Sequence, residues 1–307
     1  MRGLGLAALA IVGAIAGAAG WSADRLAATS TEPLAFAWPS RAERILVLGY
    51  GGGNHPGAYL SDSMVLVVRD GATQAEVSIP RDLWVQLPPN SGRYAKINEA
   101  LQDGYDSGGL DAGAELAAHK VEDVTALPVT GWVLQDFDGF RQMIDALGGI
   151  DVAVPRAFSA QYPVNDDPAI DARWKVIHFD AGRQHMDGER ALEYARARYA
   201  DVPQEASDFA RAERQQLLIT ATREKIASPT GGLHLLPLVN AVAGAIHTDL
   251  SPVELGAFVA GFNASQAKHI SLDSVVVDGM SADGQQILLP RGGNYTAIAD
   301  YVKSQLA

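Results

Sequence analysis

Short, unbroken apolar runs alternate along this chain with stripes of helical spacing. RILVLG (44–49) and MVLVVR (64–69) have almost no polar interruption, which predicts strands covered on both faces. QAEVSIP (74–80) predicts a third strand, closed by Pro80. Phe137, Phe140, Ile144 and Leu147 fall on one helical stripe, with Asp136 placed to cap its start and Gly148-Gly149 to stop it. IDVAVP (150–155) returns to extended character. Helices are expected after Lys96-Ile97-Asn98 and at 188–196, 208–227, 251–262 and 294–306, with a late strand near 272–278. Strands mixed with helices along the whole length predict an α/β/α layered domain around a mixed central sheet. Without a fixed-period repeat or a second Pro/Gly-rich linker, 42–307 reads as one domain.

Residues 3–23 carry no charge. At about 1.5 Å per residue they just cross a hydrocarbon core of about 30 Å. Segment 1–23 is therefore expected to be a transmembrane anchor, with a cleaved signal peptide as the alternative. Either places the remainder on the extracytoplasmic side, membrane-bound by a single pass or secreted. Residues 24–41, with two prolines and no sustained periodicity, suit a linker.

Composition narrows the function. The chain has 307 residues and a formal charge of −12, which repels nucleic acid at long range and excludes a generic nucleic-acid binder. The absence of cysteine excludes disulfides and thiolate chemistry. Scattered histidines lack the i, i+4 spacing of a helix-borne zinc pair, and no GxSxG elbow is present. GYGGGN (49–54) follows a strand but runs on toward another apolar strand, so it lacks the helix that a dinucleotide loop must open into. It is either a loop beside a site or a plain connection. Of the 24 basic residues 18 are arginine, and eight of these lie between Arg173 and Arg223.

Several positions carry candidate chemistry. Asp62, at the entrance to MVLVVR, could hold a divalent cation or serve as a turn residue. Arg81 and Asp82 emerge after Pro80 at a sheet end, where ligands of open α/β sheets bind; an ion pair solvating a strand end is the alternative. Arg196 and Arg198 point the same way only if the chain leaves helical geometry between them. Asp208, Arg211 and Gln215 share a helical stripe, readable as a polyanion site or a salt-bridged solvent face. The stripe of Phe137, Phe140 and Ile144 could line an apolar groove or pack a core.

The ordered segments RILVLG, LSDSMVLVV, VSIPRDLWV, KIN, FDGFRQMIDALGGIDVAVP, AGRQHMDGERALEYARARY and DFARAERQQ resemble the LytR-CpsA-Psr proteins, and ILLPRGGNYTAIADYV is similar to that family's last segment. The resemblance implies an α/β/α fold enclosing a lipid tunnel. It also implies an Mg²⁺-dependent phosphotransferase that moves a glycopolymer from a polyprenyl pyrophosphate carrier to peptidoglycan at the membrane. A polyprenyl-pyrophosphate hydrolase and a non-catalytic lipid-pyrophosphate binding or regulatory protein are the alternatives. Residue by residue, it makes Asp62 the metal ligand and Arg81, Lys96, Arg196, Arg198, Arg211 and Gln215 the pyrophosphate-binding set. Asp82 and Asp208 are candidates for taking up the acceptor proton. Where many members carry a second metal aspartate, this chain has Gly51, which leaves Mg²⁺ to Asp62, phosphate oxygens and water, with Asn54 or His55 as conceivable assistants.

Overall fold

The computed structural model describes residues 43–53, 57–165, 173–227 and 245–307, the last stretch without 252–253, 256–257, 259–261 and 263–265. The expected anchor and linker, together with Asn54 and His55, lie outside the described residues. Among the described residues no helix is long and apolar enough to cross a membrane.

The chain opens with β1 (Glu43–Tyr50), β2 (Ser61–Asp70) and β3 (Thr73–Ser78), followed by the short pair β4 (Trp84–Gln86) and β5 (Tyr94–Lys96). Helix α1 (Glu99–Thr125) leads to β6 (Gly131–Gln135), α2 (Phe137–Ala146) and β7 (Ile150–Val154). Next come β8 (Phe158–Pro163), β9 (Trp174–Phe179), β10 (Gly182–Met186), α3 (Gly188–Arg196), β11 (Arg198–Ala200) and α4 (Asp208–Ala227). The chain closes with β12 (Ile246–Thr248), β13 (Lys268–Ser271), β14 (Val276–Met280), β15 (Gln286–Pro290) and α5 (Thr296–Leu306).

The central sheet has the order β12-β6-β1-β2-β3-β13. It is mixed: β1 runs parallel to β6 and β3 to β13, while β2 lies between β1 and β3 and is antiparallel to both. The unbroken apolar runs are buried on both faces, as their pattern requires. Leu46, Leu48, Leu66, Val68 and Val77 pack with Val121 and Val124 of α1 and Ile298 and Val302 of α5. Ile45, Val47, Val65, Val67 and Val133 face the other way, against Leu255, Phe258 and Phe262.

Helix α1 is two helical pieces, because Gly108 and Gly109 leave helical geometry and the chain doubles back. The pieces touch at glycines: a Cβ on Gly104 would stand 2.4 Å from the Ala112 carbonyl oxygen. A second core gathers Phe137, Phe140, Met143 and Ile144 of α2 with residues of β7 to β10 and α3. The aromatic stripe of α2 packs this core. Asp136 caps α2 as its position implies, accepting from the Gly139 N–H at 2.7 Å.

The expected strand near 272–278 is divided, a correction to the periodicity reading. Asp273–Val275 form a 3₁₀ turn between β13 and β14, with Leu272 and Val276 buried on either side. Polar Asp273 and Ser274 interrupt the run and let the chain change sheets. The expected helix at 251–262 falls largely outside the described residues.

Helix α3 crosses α2 at Gly188, where a Cβ would sit 2.3 Å from the Arg141 carbonyl oxygen. The Gly188 N–H also donates to Asp145 at 2.7 Å. Gly188→Ala must push the two helices apart, and urea unfolding is expected to register a loss of about 1–3 kcal/mol.

Candidate functional site

The strand pairing brings distant segments to one end of the central sheet. β1 and β6 both finish there, with Gly49 beside Gln135, and β2 begins there, with Ser61 opposite Tyr50. β3 ends on the same side: the Ile79 N–H donates to the Met64 carbonyl at 2.9 Å, after which Pro80 turns the chain out of the sheet. Ser61 is fully buried, and both its N–H and its hydroxyl donate to the Asn98 carbonyl, at 3.0 and 3.2 Å. The Asn98 N–H in turn donates to the Arg81 carbonyl at 3.2 Å. Asn98 therefore laces the start of β2 to the segment after β3.

That lacing sets up an alternating row of charges. Arg81 Nη1 meets Asp62 Oδ1 at 2.5 Å, and its Nε faces Asp82 Oδ2 at 3.7 Å. Lys96 Nζ meets Asp82 Oδ1 at 2.8 Å. Asp82 is buried, whereas Asp62 and Arg81 are about one-third exposed. Arg81 Nε is itself buried without a hydrogen-bond partner. A buried guanidinium N–H with no acceptor is costly to leave unmatched, and an anion supplies the match.

Arg196 forms a second wall. It is the last residue of α3; its Nη1 donates to the Tyr162 hydroxyl at 3.0 Å and its guanidinium lies 4.0 Å from the centre of the Phe137 ring. The same ring stands 3.7 Å from where a Cβ of Gly51 would be, so Phe137 connects Arg196 to the end of β1. After Arg196 the chain leaves the helix: Ala197 is extended and Arg198 opens β11. The side chains of Arg198 and Asp208 lie outside the described residues.

One residue holds this exit in place. Arg214 of α4 is 2% exposed, yet its guanidinium donates to the carbonyls of Tyr194 (3.1 Å), Ala197 (2.7 Å) and Glu205 (3.1 Å), and to the Glu205 carboxylate at 2.9 Å. Burial pulls its pKa below the ordinary arginine value, and Glu205 opposes that pull. Gln215 is equally buried, its amide donating to the Ala195 carbonyl at 3.1 Å. It supports the Arg196 segment from behind, while Arg211 is half-buried one turn earlier on α4.

Of the candidates, Asp62, Arg81, Asp82 and Lys96 are thus in direct contact, and Arg196 stands on the wall reached through Phe137. Asn98, Tyr162 and Arg214 were not singled out for a role by the sequence reading. No spacing could have marked Tyr162, but an arginine among the apolar positions of α4 was a usable signal for Arg214. Tyr50, Tyr59 and Tyr105 stack beside this end, with ring centres 5.7 and 3.6 Å apart. A hydrogen bond with Tyr105, together with burial, pushes the Tyr59 phenol up to about 12. Burial and the Asp136 charge push Tyr50 up as well, so both phenols are neutral near pH 7 and cannot serve as bases.

A model of the LytR_cpsA_psr family matches residues 23–304. The chain belongs to the LytR_cpsA_psr family. Among curated members, it is 32% identical over 218 residues to the polyisoprenyl-teichoic acid–peptidoglycan teichoic acid transferase TagV of Bacillus subtilis, covering 69% of this chain and 51% of that protein. It is 27% identical to TagU of Enterococcus faecalis, covering 75% and 67%. The chain thus spans about half the length of TagV. The crystal structure of B. subtilis TagV superposes with a TM-score of 0.61 at 27% identity, covering 87% of this chain and 98% of that one. The Streptococcus agalactiae protein gbs0355 gives 0.63 at 25% identity, covering 87% and 88%. The overall fold is thus shared with these two structures.

Removing Arg214 leaves the buried Glu205 with only the half-exposed Arg156, at 3.0 Å, as its cation, and takes the Arg214 donors away from three backbone carbonyls. Arg214→Met is expected to cost about 3–5 kcal/mol in denaturant unfolding. Arg196→Ala, which leaves that buried network whole, is expected to fall well short of this.

Proposed function

We propose that the protein transfers a glycopolymer from a polyprenyl pyrophosphate carrier to peptidoglycan, at the outer face of the membrane to which residues 1–23 anchor it. The carrying observation is the row Asp62–Arg81–Asp82–Lys96 at the sheet end, with Arg196 on the adjoining wall. A diphosphate needs several fixed cations close together. The names of the curated relatives, polyisoprenyl-teichoic acid–peptidoglycan teichoic acid transferases, supply the donor and acceptor classes.

In this reading an acceptor hydroxyl forms a new P–O bond to the glycan-bearing phosphorus. The bridging P–O bond breaks, polyprenyl phosphate leaves, and the hydroxyl proton passes to a base. Such a step asks the protein for positioning and charge neutralisation rather than covalent work. Arg81, Lys96, Arg196 and Arg198 would grip the diphosphate oxygens, with Arg211 as a further cation on α4. Gln215 positions the Arg196 segment through Ala195. Asp82 faces cations with both oxygens, which suits it to orienting Arg81 and Lys96, and leaves Asp208 as the second candidate for the proton.

Asp62 is a hard carboxylate ligand beside the diphosphate position, and among the described residues no group of three or more His, Asp or Glu could hold a metal by itself. That donor set suits Mg²⁺, which accepts one or two carboxylates and completes its shell with phosphate oxygens and water. When bound, Mg²⁺ would supply charge neutralisation at the diphosphate.

The test incubates the full-length protein with a polyprenyl pyrophosphate glycan, Mg²⁺ and peptidoglycan, and measures linked product. Arg81→Ala and Arg196→Ala are each expected to lower turnover about a hundredfold, the effect of one preorganised donor. Wild-type turnover by the Arg81/Arg196/Arg198 triple alanine variant would sink the assignment.

A further inference from the structure

The β14–β15 hairpin is fastened to the candidate site from the side opposite Asn98. The Leu288 N–H donates to the carbonyl of Asp82 itself at 2.8 Å, and Leu288 forms a parallel bridge with Leu83. Its turn also reaches toward the site. Hydrogen bonds from Ser281 and Gln285 hold the Asp283 carboxyl below its ordinary value, and the charge of Lys96 acts in the same direction. The backbone carrying Asp82 therefore runs between the Lys96–Asn98 segment on one side and β15 on the other.

An open depression of about 410 Å³ lies on this hairpin, lined by Asp278, Gly279, Met280 and Gln286. That volume falls within the roughly 300–1,000 Å³ of small-ligand clefts. Met280 is 64% exposed, a large apolar side chain left in water beside a carboxylate and an amide. Among the described residues that line it there is no cation, so those residues do not suit a diphosphate or a polyanionic polymer. A carboxylate and an amide offer hydrogen-bond acceptors and donors to hydroxyls and N-acetyl groups, and Met280 offers an apolar platform to a sugar face.

We infer that this depression is the acceptor subsite, binding an uncharged stretch of N-acetylated amino-sugar chain next to the diphosphate site. The inference rests on the proposed transferase reading. It divides the two substrates by charge: cations at the sheet end hold the donor, and a hairpin groove whose described lining is a carboxylate, an amide and a thioether holds the glycan acceptor.

The probe is a soluble tetrasaccharide of N-acetylated amino sugars, titrated against the full-length protein in detergent by calorimetry. Binding of a polyprenyl pyrophosphate analogue is measured separately. Asp278→Ala combined with Met280→Ser is expected to weaken tetrasaccharide binding at least fivefold while analogue affinity is kept. Both residues are exposed, so melting temperature is expected to stay at the wild-type value. Arg81→Ala is expected to give the opposite pattern, losing the analogue and keeping the tetrasaccharide. Gln286→Ala gives an independent probe of the same groove and is expected to weaken the tetrasaccharide as well. Tetrasaccharide affinity unchanged in both groove variants, or no binding to the wild type, overturns the subsite. Groove-dependent tetrasaccharide binding without any linked product from wild-type protein supports the subsite and overturns the transferase reading instead.

Discussion

The site depends on a guanidinium that never reaches it. Arg214 lies inside the second core, with its donors directed at the carbonyls on either side of the Arg196–Arg198 exit and at Glu205. A charge buried this deeply is tolerated only where paired and fully hydrogen-bonded, and the same bonds make the surrounding backbone rigid. Arg196 can then be held against the Phe137 ring and the Tyr162 hydroxyl without a cost in loop entropy at the moment of binding.

On the other wall the equivalent service comes from the backbone. Asn98 bonds both Ser61 and Arg81 through its main chain, and Leu288 bonds the Asp82 carbonyl. These main-chain contacts fix where the charged side chains begin, and the ion pairs along Asp62, Arg81, Asp82 and Lys96 fix where they end. The cations are offset locally by carboxylates, which keeps them ordered in the absence of an anion. In the proposed function, an anion arriving there would compete with Asp62 and Asp82 for Arg81 and Lys96, and recognition would work by exchange of partners within a preformed cluster.

The net charge of −12 and the cationic character of this end are compatible because they act over different distances. Surface carboxylates set a long-range field that salt screens within about 10 Å. A diphosphate bound as proposed at the sheet end would instead meet guanidinium and ammonium groups at contact distance, in a partly buried setting where screening is weak. The overall acidity thus disfavours nucleic acid while leaving room for a small, locally neutralised anion.

Strands β1, β2 and β3 and helices α2, α3, α4 and α5 were legible because their apolar periodicity is a local property of the chain, whereas the short strands β6, β12 and β13 of the same sheet were not among those expected. The doubling back of α1 was not legible, because Gly104 and Gly113 report a close approach only once the two pieces meet. The 3₁₀ turn after β13 was hidden inside what looked like one extended run. Candidate chemistry divides in the same way. Residue types and order singled out Asp62, Arg81, Asp82 and Arg196 and suggested an anion, and the family resemblance added Lys96. Sequence could not reveal that Phe137 serves as core and as a seat for Arg196. Local patterning determines which segments become strands and helices, whereas convergence of segments far apart in the chain depends on sheet order and register, which exist only in the folded molecule.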